Sequence, residues 1–353
     1  MKLAVPERPW VRFALMSPLA AVVVVLFWWR GPSWHQVGDA FTIVRWRWVI
    51  AAVGLNLVSV LARSLAWRTV LRQAIPPPRP RFPLVFSAFS VGLFANALLP
   101  GRIGELARVA VLNRRLPPKR GAWATLVGTV FAHRVFDVIP VIFLIVYVVL
   151  TARIPAWAIT SLEVFVGIGV ALFAFAMATA RLRHRPALDE LGVVRRLLAM
   201  GRQGLAVMRA PLPTLAAIVF QTSGWICQLL AVWAAMRAFH INLGLPAAGL
   251  VLLLMNVATV FPLWPGNVGL LQFAIALPLT RYGIAYAHGV AFGFGLQAIE
   301  ASVGVGIGLL FLAREGLSVG MVRVMPDASQ AEVPEDEEAS EARAVLQREH
   351  VGG

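Results

Sequence analysis

Cysteine is nearly missing from this chain: Cys227 is the single one in 353 residues. It lies in an apolar run, so neither a disulfide framework nor a thiolate metal site can be built. Acidic residues are also scarce, 17 against 32 Lys and Arg, and eight of them fall between Asp327 and Glu349 beside only two arginines. Residues 1–326 therefore hold thirty basic side chains against nine acidic ones. No polar stretch is long enough for a soluble domain of about 100 residues. There is no Walker-type phosphate loop, no Gly-x-Ser-x-Gly elbow and no clustered His, Cys and Asp to hold a metal. No cofactor is expected.

What the chain has in abundance is apolar side chains, 59% of the total, in runs of the roughly 20 residues needed to cross a bilayer. The expected fold class is an all-α integral membrane protein of about six full spans plus two re-entrant broken hairpins. Spans are expected at 11–29, 47–71, 122–150, 157–180, 212–236 and 286–313. The first run follows Lys2, Arg8 and Arg12 like a signal peptide, but it ends Trp28-Trp29-Arg30 without a small-residue cleavage site and is read as retained. The arginines flank apolar runs, so a positive-inside bias explains them better than a nucleic-acid partner.

The basic loop Gln73–Arg81 and the cluster Arg108, Arg114, Arg115, Lys119 and Arg120 both belong in the cytoplasm, as do both termini. One crossing cannot join two cytoplasmic clusters. The apolar run Phe82–Leu99 must therefore turn back at Pro100-Gly101, making a hairpin open to the cytoplasm. The pair 246–262 and 268–280, broken at Pro262–Gly266, is the second hairpin, open to the outside. Residues 1–325 are expected to form one polytopic domain in the cytoplasmic membrane, with repeats at about 10–150 and 157–315. Arg181–Arg209 reads as an amphipathic helix on the anionic inner leaflet, or as a solvated linker. Residues 326–353 are an acidic tail too poor in apolar side chains to fold.

Two breaks organise the chain. In Asn96–Arg108, Pro100 and Gly101 stop one helix and a new one starts near Arg102. Its free N–H groups and positive dipole end face back toward the break. Arg102 adds positive charge there, which calls for an anion, either Glu105 or a lipid phosphate. Trp264-Pro265-Gly266-Asn267-Val268-Gly269-Leu270-Leu271 repeats the pattern about 165 residues later, with Asn267 in the place of Arg102 and Gly269 in that of Gly104. Three full spans separate the hairpins, an odd number, so the second unit is inverted. Inverted repeats with broken helices are a transporter architecture.

Ionisable residues inside spans are costly and point to function. Arg134 and Asp137, and Glu105 and Arg108, are each three apart on a helix face and can pair. Two readings stay open and can hold together. In one these are internal ion pairs. In the other Arg102, Arg108 and Arg134 line a cavity that grips a phosphate by paired hydrogen bonds. Glu300 is either protonated and packed or the counter-ion of an arginine in the other repeat, the second being favoured because an isolated carboxylate in lipid is expensive. Asn96, Asn267 and Gln272 flank the breaks, where freed backbone groups need partners. Arg63 and Arg68 are expected to snorkel to the inner interface, and His133 to be a packed polar residue rather than a proton relay.

These motifs resemble the membrane domain of lysylphosphatidylglycerol synthases and its stand-alone, flippase-like relatives. Asn96–Arg108 is similar to the signature Asn-x-x-x-Pro-Gly-Arg-x-Gly-Glu-x-x-Arg at every position. His133–Asp137 resembles a Glu-Arg-x-x-Asp element with His133 in place of the acid. Pro265–Gln272 resembles Pro-Gly-x-x-Gly-x-x-Glu with Gln272 in place of the acid. The resemblance, over about residues 10–315, implies lipid translocation, or service to lipid or polyprenyl-glycan synthesis. The expected function is thus movement of an anionic phospholipid, aminoacylated lipid or polyprenyl-phosphate carrier between leaflets, with membrane lipids as partners. The alternatives are a membrane-embedded transferase using Glu105 or Asp137 as base, or a non-catalytic partner of a lipid- or glycan-synthesis enzyme. Each carboxylate has an arginine three residues away to neutralise it, which argues against a free base and against an enzyme.

Overall fold

The computed structural model describes residues 33–98, 103–116, 122–154, 210–260 and 267–314, with the isolated residues 167 and 171. The expected spans at 11–29 and 157–180, the segment 181–209, the breaks at Pro100, Gly101 and Arg102 and at Pro262–Gly266, and the tail beyond 326 lie outside the described residues. Within them the chain is helical, without strands: α1 (Trp34–Thr42), α2 (Trp46–Ala74), α3 (Phe82–Leu98), α4 (Gly104–Arg115), α5 (Ala122–Thr151), α6 (Pro211–Ala238), α7 (Leu245–Val260), α8 (Leu270–Thr280) and α9 (Tyr286–Arg314).

Proline sets several of these bounds. Pro76, Pro77 and Pro78 cannot continue α2, and Pro211 starts α6 at a position whose N–H has no helical partner anyway. Four helices are long and apolar enough to cross a membrane: α2, α6, α9 and Thr125–Thr151 of α5. At about 1.5 Å per residue, each exceeds the roughly 30 Å of a hydrocarbon core. They coincide with four of the six expected spans.

The long helices turn large apolar side chains outward, among them Ile50, Phe143, Leu150, Leu212 and Leu310, each more than two-thirds exposed. In water such surface would drive association; in lipid it is the solvent-facing side. The short helices are enclosed instead. From Ala247 to Met255, α7 is buried almost continuously, and it centres a core built with α6, α8 and the first half of α9. A second core gathers α3 and α4 against the later half of α2, the start of α5 and the end of α9.

α2 and α6 run antiparallel along their whole length. The Arg45 N–H donates to the Ala238 carbonyl at 3.0 Å, Trp48 meets Trp233 edge-on at 5.5 Å, and the Ser59 hydroxyl donates to the Gly224 carbonyl at 2.7 Å. One number falls as the other rises. The order α2–α3–α4–α5 recurs as α6–α7–α8–α9, with starts at Trp46 and Pro211, Phe82 and Leu245, Gly104 and Leu270, and Ala122 and Tyr286. Packing repeats too: α3 lies on α9 as α7 lies on α5, and α3 lies on α4 as α7 lies on α8.

Each short pair is joined at close quarters by an amide. The Gly104 N–H donates to Asn96 Oδ1 at 2.9 Å. Asn267 Nδ2 donates to the Ala258 carbonyl at 3.0 Å, and the Gly269 N–H donates to Gln272 Oε1 at 2.6 Å. Asn267 and Gly269 both take positive φ, 45° and 92°, so the second break turns through backbone that Asn tolerates and Gly prefers. Gly104 serves differently: it is the first residue of α4, and a Cβ there would strike the Gly92 carbonyl and Asn96. Gly104→Ala is therefore expected to lower stability by about 1–3 kcal/mol through overpacking. Gly54→Ala, where a Cβ meets nothing within 4 Å, is expected to be neutral or mildly stabilising. Thermal unfolding of both variants in detergent checks the contrast.

Candidate functional site

Three helices bring the charged residues together: α4 supplies Glu105 and Arg108, α5 supplies Arg134 and Asp137, and α6 supplies their polar partners. Glu105 takes one hydrogen bond from Arg108 and one from Arg134 across to α5. Arg134 also donates through Nη1 to Asp137 Oδ2 at 3.2 Å. Asp137 Oδ1 accepts from Trp225 Nε1 at 2.8 Å and from Gln221 Nε2. Both oxygens of both carboxylates are thereby occupied, and the four charges cancel.

The two arginines differ in what else they meet. Arg108 is 4% exposed, with its guanidinium over the rings of Trp67 at 4.8 Å and Phe89 at 5.5 Å. Trp67 is itself fixed by donating to Thr129 Oγ1 at 3.2 Å. Arg108 is thus enclosed in the core, which accords with the internal ion-pair reading of the two that sequence leaves open. Arg134 is 48% exposed, although two carboxylates fix its orientation. His133 is buried beside it, edge-on to Phe89, and its Nδ1 has no hydrogen-bond partner.

The remaining candidates fall into two further groups. Asn96 and Gly104 stitch α3 to α4. Asn267, Gly269 and Gln272 form the second hairpin's uncharged group, in which Gln272 Nε2 donates to Gln297 Oε1 at 2.7 Å. Glu300, on α9, accepts from Gln228 Nε2 at 3.4 Å. The same amide's oxygen accepts from Arg63 Nη2 at 2.6 Å. Arg63 therefore does not snorkel to the interface: it sits near the middle of α2 and turns inward onto α6, over the Trp225 ring at 5.0 Å. Arg102, Pro100, Gly101, Pro265 and Gly266 lie outside the described residues.

Sequence reading passes over Gln221, Trp225 and Gln228, which serve Asp137, Arg63 and Glu300. The signal is present: these polar-capable side chains recur in steps of four and three, on one face of an otherwise apolar helix. Among the described residues, no group of three His, Cys, Asp or Glu could hold a metal.

Fold and site together define an all-helical, multi-pass membrane protein with a polar network inside its helix bundle. The chain belongs to the lysylphosphatidylglycerol synthase transmembrane-region family, which it matches over residues 10–308. It is similar to a UPF0104 membrane protein of Methanocaldococcus jannaschii, 25% identical over 207 residues, covering 56% of this chain and 84% of that one. It is also similar to a UPF0104 membrane protein of Pyrococcus horikoshii, 28% identical over 131 residues, covering 37% of this chain and 38% of the relative. No solved structure matches it.

Glu105 is the residue on which this network is most sensitive. Glu105→Gln leaves Arg108 buried without a counter-ion, a loss of about 3–5 kcal/mol. Replacing both partners, Glu105→Gln with Arg108→Met, is expected to recover most of it, because an apolar side chain suits the Trp67 and Phe89 rings. Denaturant or thermal unfolding of the single and double variants measures the recovery.

Proposed function

We propose that this protein moves a lipid with an anionic headgroup between the leaflets of the cytoplasmic membrane. The observation that carries the reading is Arg134: a half-exposed arginine at mid-span whose orientation is set in advance by Glu105 and Asp137. An arginine so placed can present N–H groups to a phosphate without a further ordering cost, while the acyl chains stay in the bilayer. Arg102, which precedes α4 in the sequence, is the second grip in this reading, and Asn96, Asn267, Gln272 and Glu300 supply the polar surround. The family supports a lipid-related role. The headgroup could be that of a phospholipid, an aminoacylated lipid or a polyprenyl-phosphate carrier. An enzymatic role is disfavoured because Glu105 and Asp137 are both engaged by arginine.

The architecture in this reading is an inverted repeat. The matching order of α2–α5 and α6–α9 supports a two-fold relation. The antiparallel pairing of α2 with α6 supports an axis lying in the membrane plane, since an axis along the normal would leave them parallel. Ser59 and Gly224 touch, are 165 positions apart, and stand near the middle of their helices, where such an axis would pass. An inverted pair offers the two leaflets equivalent routes to one site, as alternating access requires. The basic end of the bundle, with Arg72, Arg79, Arg81, Arg114 and Arg115, is assigned to the cytoplasm.

Two measurements test this. In liposomes, the purified protein is expected to carry fluorescent phosphatidylglycerol across. Arg102→Ala is expected to slow it about tenfold or more, the worth of one lost charge-assisted hydrogen bond, without changing the melting temperature. Normal transport by that variant would place the phosphate elsewhere. For orientation, single cysteines in a Cys227→Ala background are expected to be labelled from the cytoplasm at Gln73 and Leu116 and from outside at Ala152. Opposite sides for Gln73 and Leu116 would make the first hairpin a full crossing and remove the inversion.

A further inference from the structure

Among the described residues, Arg63 is an arginine of the bundle centre that the ion-pair network leaves unmatched. It stands one helical turn past Ser59, near the middle of α2. Among the described residues, no carboxylate lies within the 4.0 Å of an ion pair from it. It donates through Nη2 to Gln228 and rests over Trp225, while its buried Nε has no hydrogen-bond partner. Arg108 and Arg134, by contrast, each meet a carboxylate directly. A guanidinium kept at this depth without a direct counter-ion is costly, and it retains the N–H groups that fit two oxygens of one phosphate.

Asp137 and Glu300 are the carboxylates bonded to groups that touch Arg63, Asp137 through Trp225 and Glu300 through Gln228. Asp137 is committed on both oxygens to Arg134, Gln221 and Trp225. Glu300 is not: among the described residues its hydrogen bond is the long one from Gln228. Gln228 stands between them, with its oxygen to Arg63 and its NH2 to Glu300. An amide in that position couples a cation to an anion without letting them close.

We propose that Arg63 is a second phosphate-binding position, for the phosphodiester of a lipid headgroup, and that Glu300 is its exchangeable counter-charge. The proposal rests on the translocation reading. The headgroup passes from Arg134 to Arg63 at mid-membrane, and Glu300 neutralises Arg63 through Gln228 once the phosphate has left. Trp225 spans the two positions, with its Nε1 on Asp137 and its ring under Arg63.

The test reads the site apart from transport. Full-length protein in maltoside micelles is treated with the arginine reagent phenylglyoxal, and modification of Arg63 is followed by mass spectrometry. The probes are dihexanoyl phosphatidylglycerol, dihexanoylglycerol, which lacks the phosphate, and inorganic phosphate. Phosphatidylglycerol at ten times its Kd is expected to slow modification about tenfold, and dihexanoylglycerol to leave it unchanged. Equal protection by dihexanoylglycerol, or none by any probe, would overturn the site; protection by inorganic phosphate alone would overturn the lipid as its ligand.

Glu300→Gln supplies the second readout. Without the competing charge, lipid should protect Arg63 at lower concentration, and transport in liposomes should slow because release is hindered. A damaged fold would weaken both, so weaker protection in a Glu300→Gln protein with unchanged melting would overturn the exchange. Protection without any transport by the wild-type protein would sink the translocation reading and leave the anion site standing. Transport without protection would do the reverse.

Discussion

A charge inside a bilayer has to be neutralised by what stands beside it, because no water is there to solvate it. That constraint arranges the centre of this protein. Glu105 can be ionised at its depth because Arg108 and Arg134 both reach it, and reaching it fixes α4 against α5. Asp137 is satisfied by Arg134 from its own helix and by Gln221 and Trp225 from α6, which fixes α5 against α6. The polar contacts therefore set the relative positions of three helices whose apolar surfaces, in lipid, have little preference for each other. Arg108 shows the same rule in its strictest form. Its fork meets Glu105 and its faces meet Trp67 and Phe89, so the most buried charge of the network is also the most enclosed.

Close packing supplies what the charges do not. In α9, Gly289 and Gly293 face the backbone of α8 at Ala276 and Gln272, and Gly308 faces Phe94 of α3. A single helix thus lies against an arm of each hairpin, and the absence of side chains is what lets both approach. The Gly92–Gly104 contact does the same inside the first hairpin. Small residues at such seams, with amides bridging backbone across them, are the membrane counterpart of a hydrophobic core.

Much of this is legible in the amino-acid sequence, for physical reasons. Spans such as α2 and α6 follow from apolar length, and their bounds follow from proline. The short pairs α3–α4 and α7–α8 fall on either side of the two Pro-Gly dipeptides read from the sequence. Within-helix pairs such as Arg134–Asp137 follow from spacing of three. What sequence does not disclose is which helices face one another. The partnership of Glu105 with Arg134 spans 29 positions, that of Asp137 with Trp225 spans 88, and that of Arg63 with Gln228 spans 165. Arg63 looks like a snorkelling residue because its distance from the basic loop is short along the chain. Its true direction is set by α6, whose Gln228 is 165 positions away in the sequence. For Arg108, spacing reveals the pairing with Glu105 but not the enclosure by Trp67 and Phe89.

The two hairpins differ most where charge is concerned, and the difference has a consequence for binding. The first break brings Glu105 and Arg108 to α5, whereas the second brings Gln272 to Gln297 of α9, an amide pair at a comparable junction. An amide pair satisfies backbone and side chain alike without the desolvation cost of ions. It also contributes no field. Were both hairpins cationic, two positive sites would face a single headgroup phosphate and hold it too firmly to release. In the proposed reading, Arg102 of the first unit attracts the anion, and the amides of the second merely accommodate it. In the proposed translocation reading, asymmetry of charge between the two units is a condition for passing the headgroup on, and Glu300 is the group that restores neutrality after it has gone.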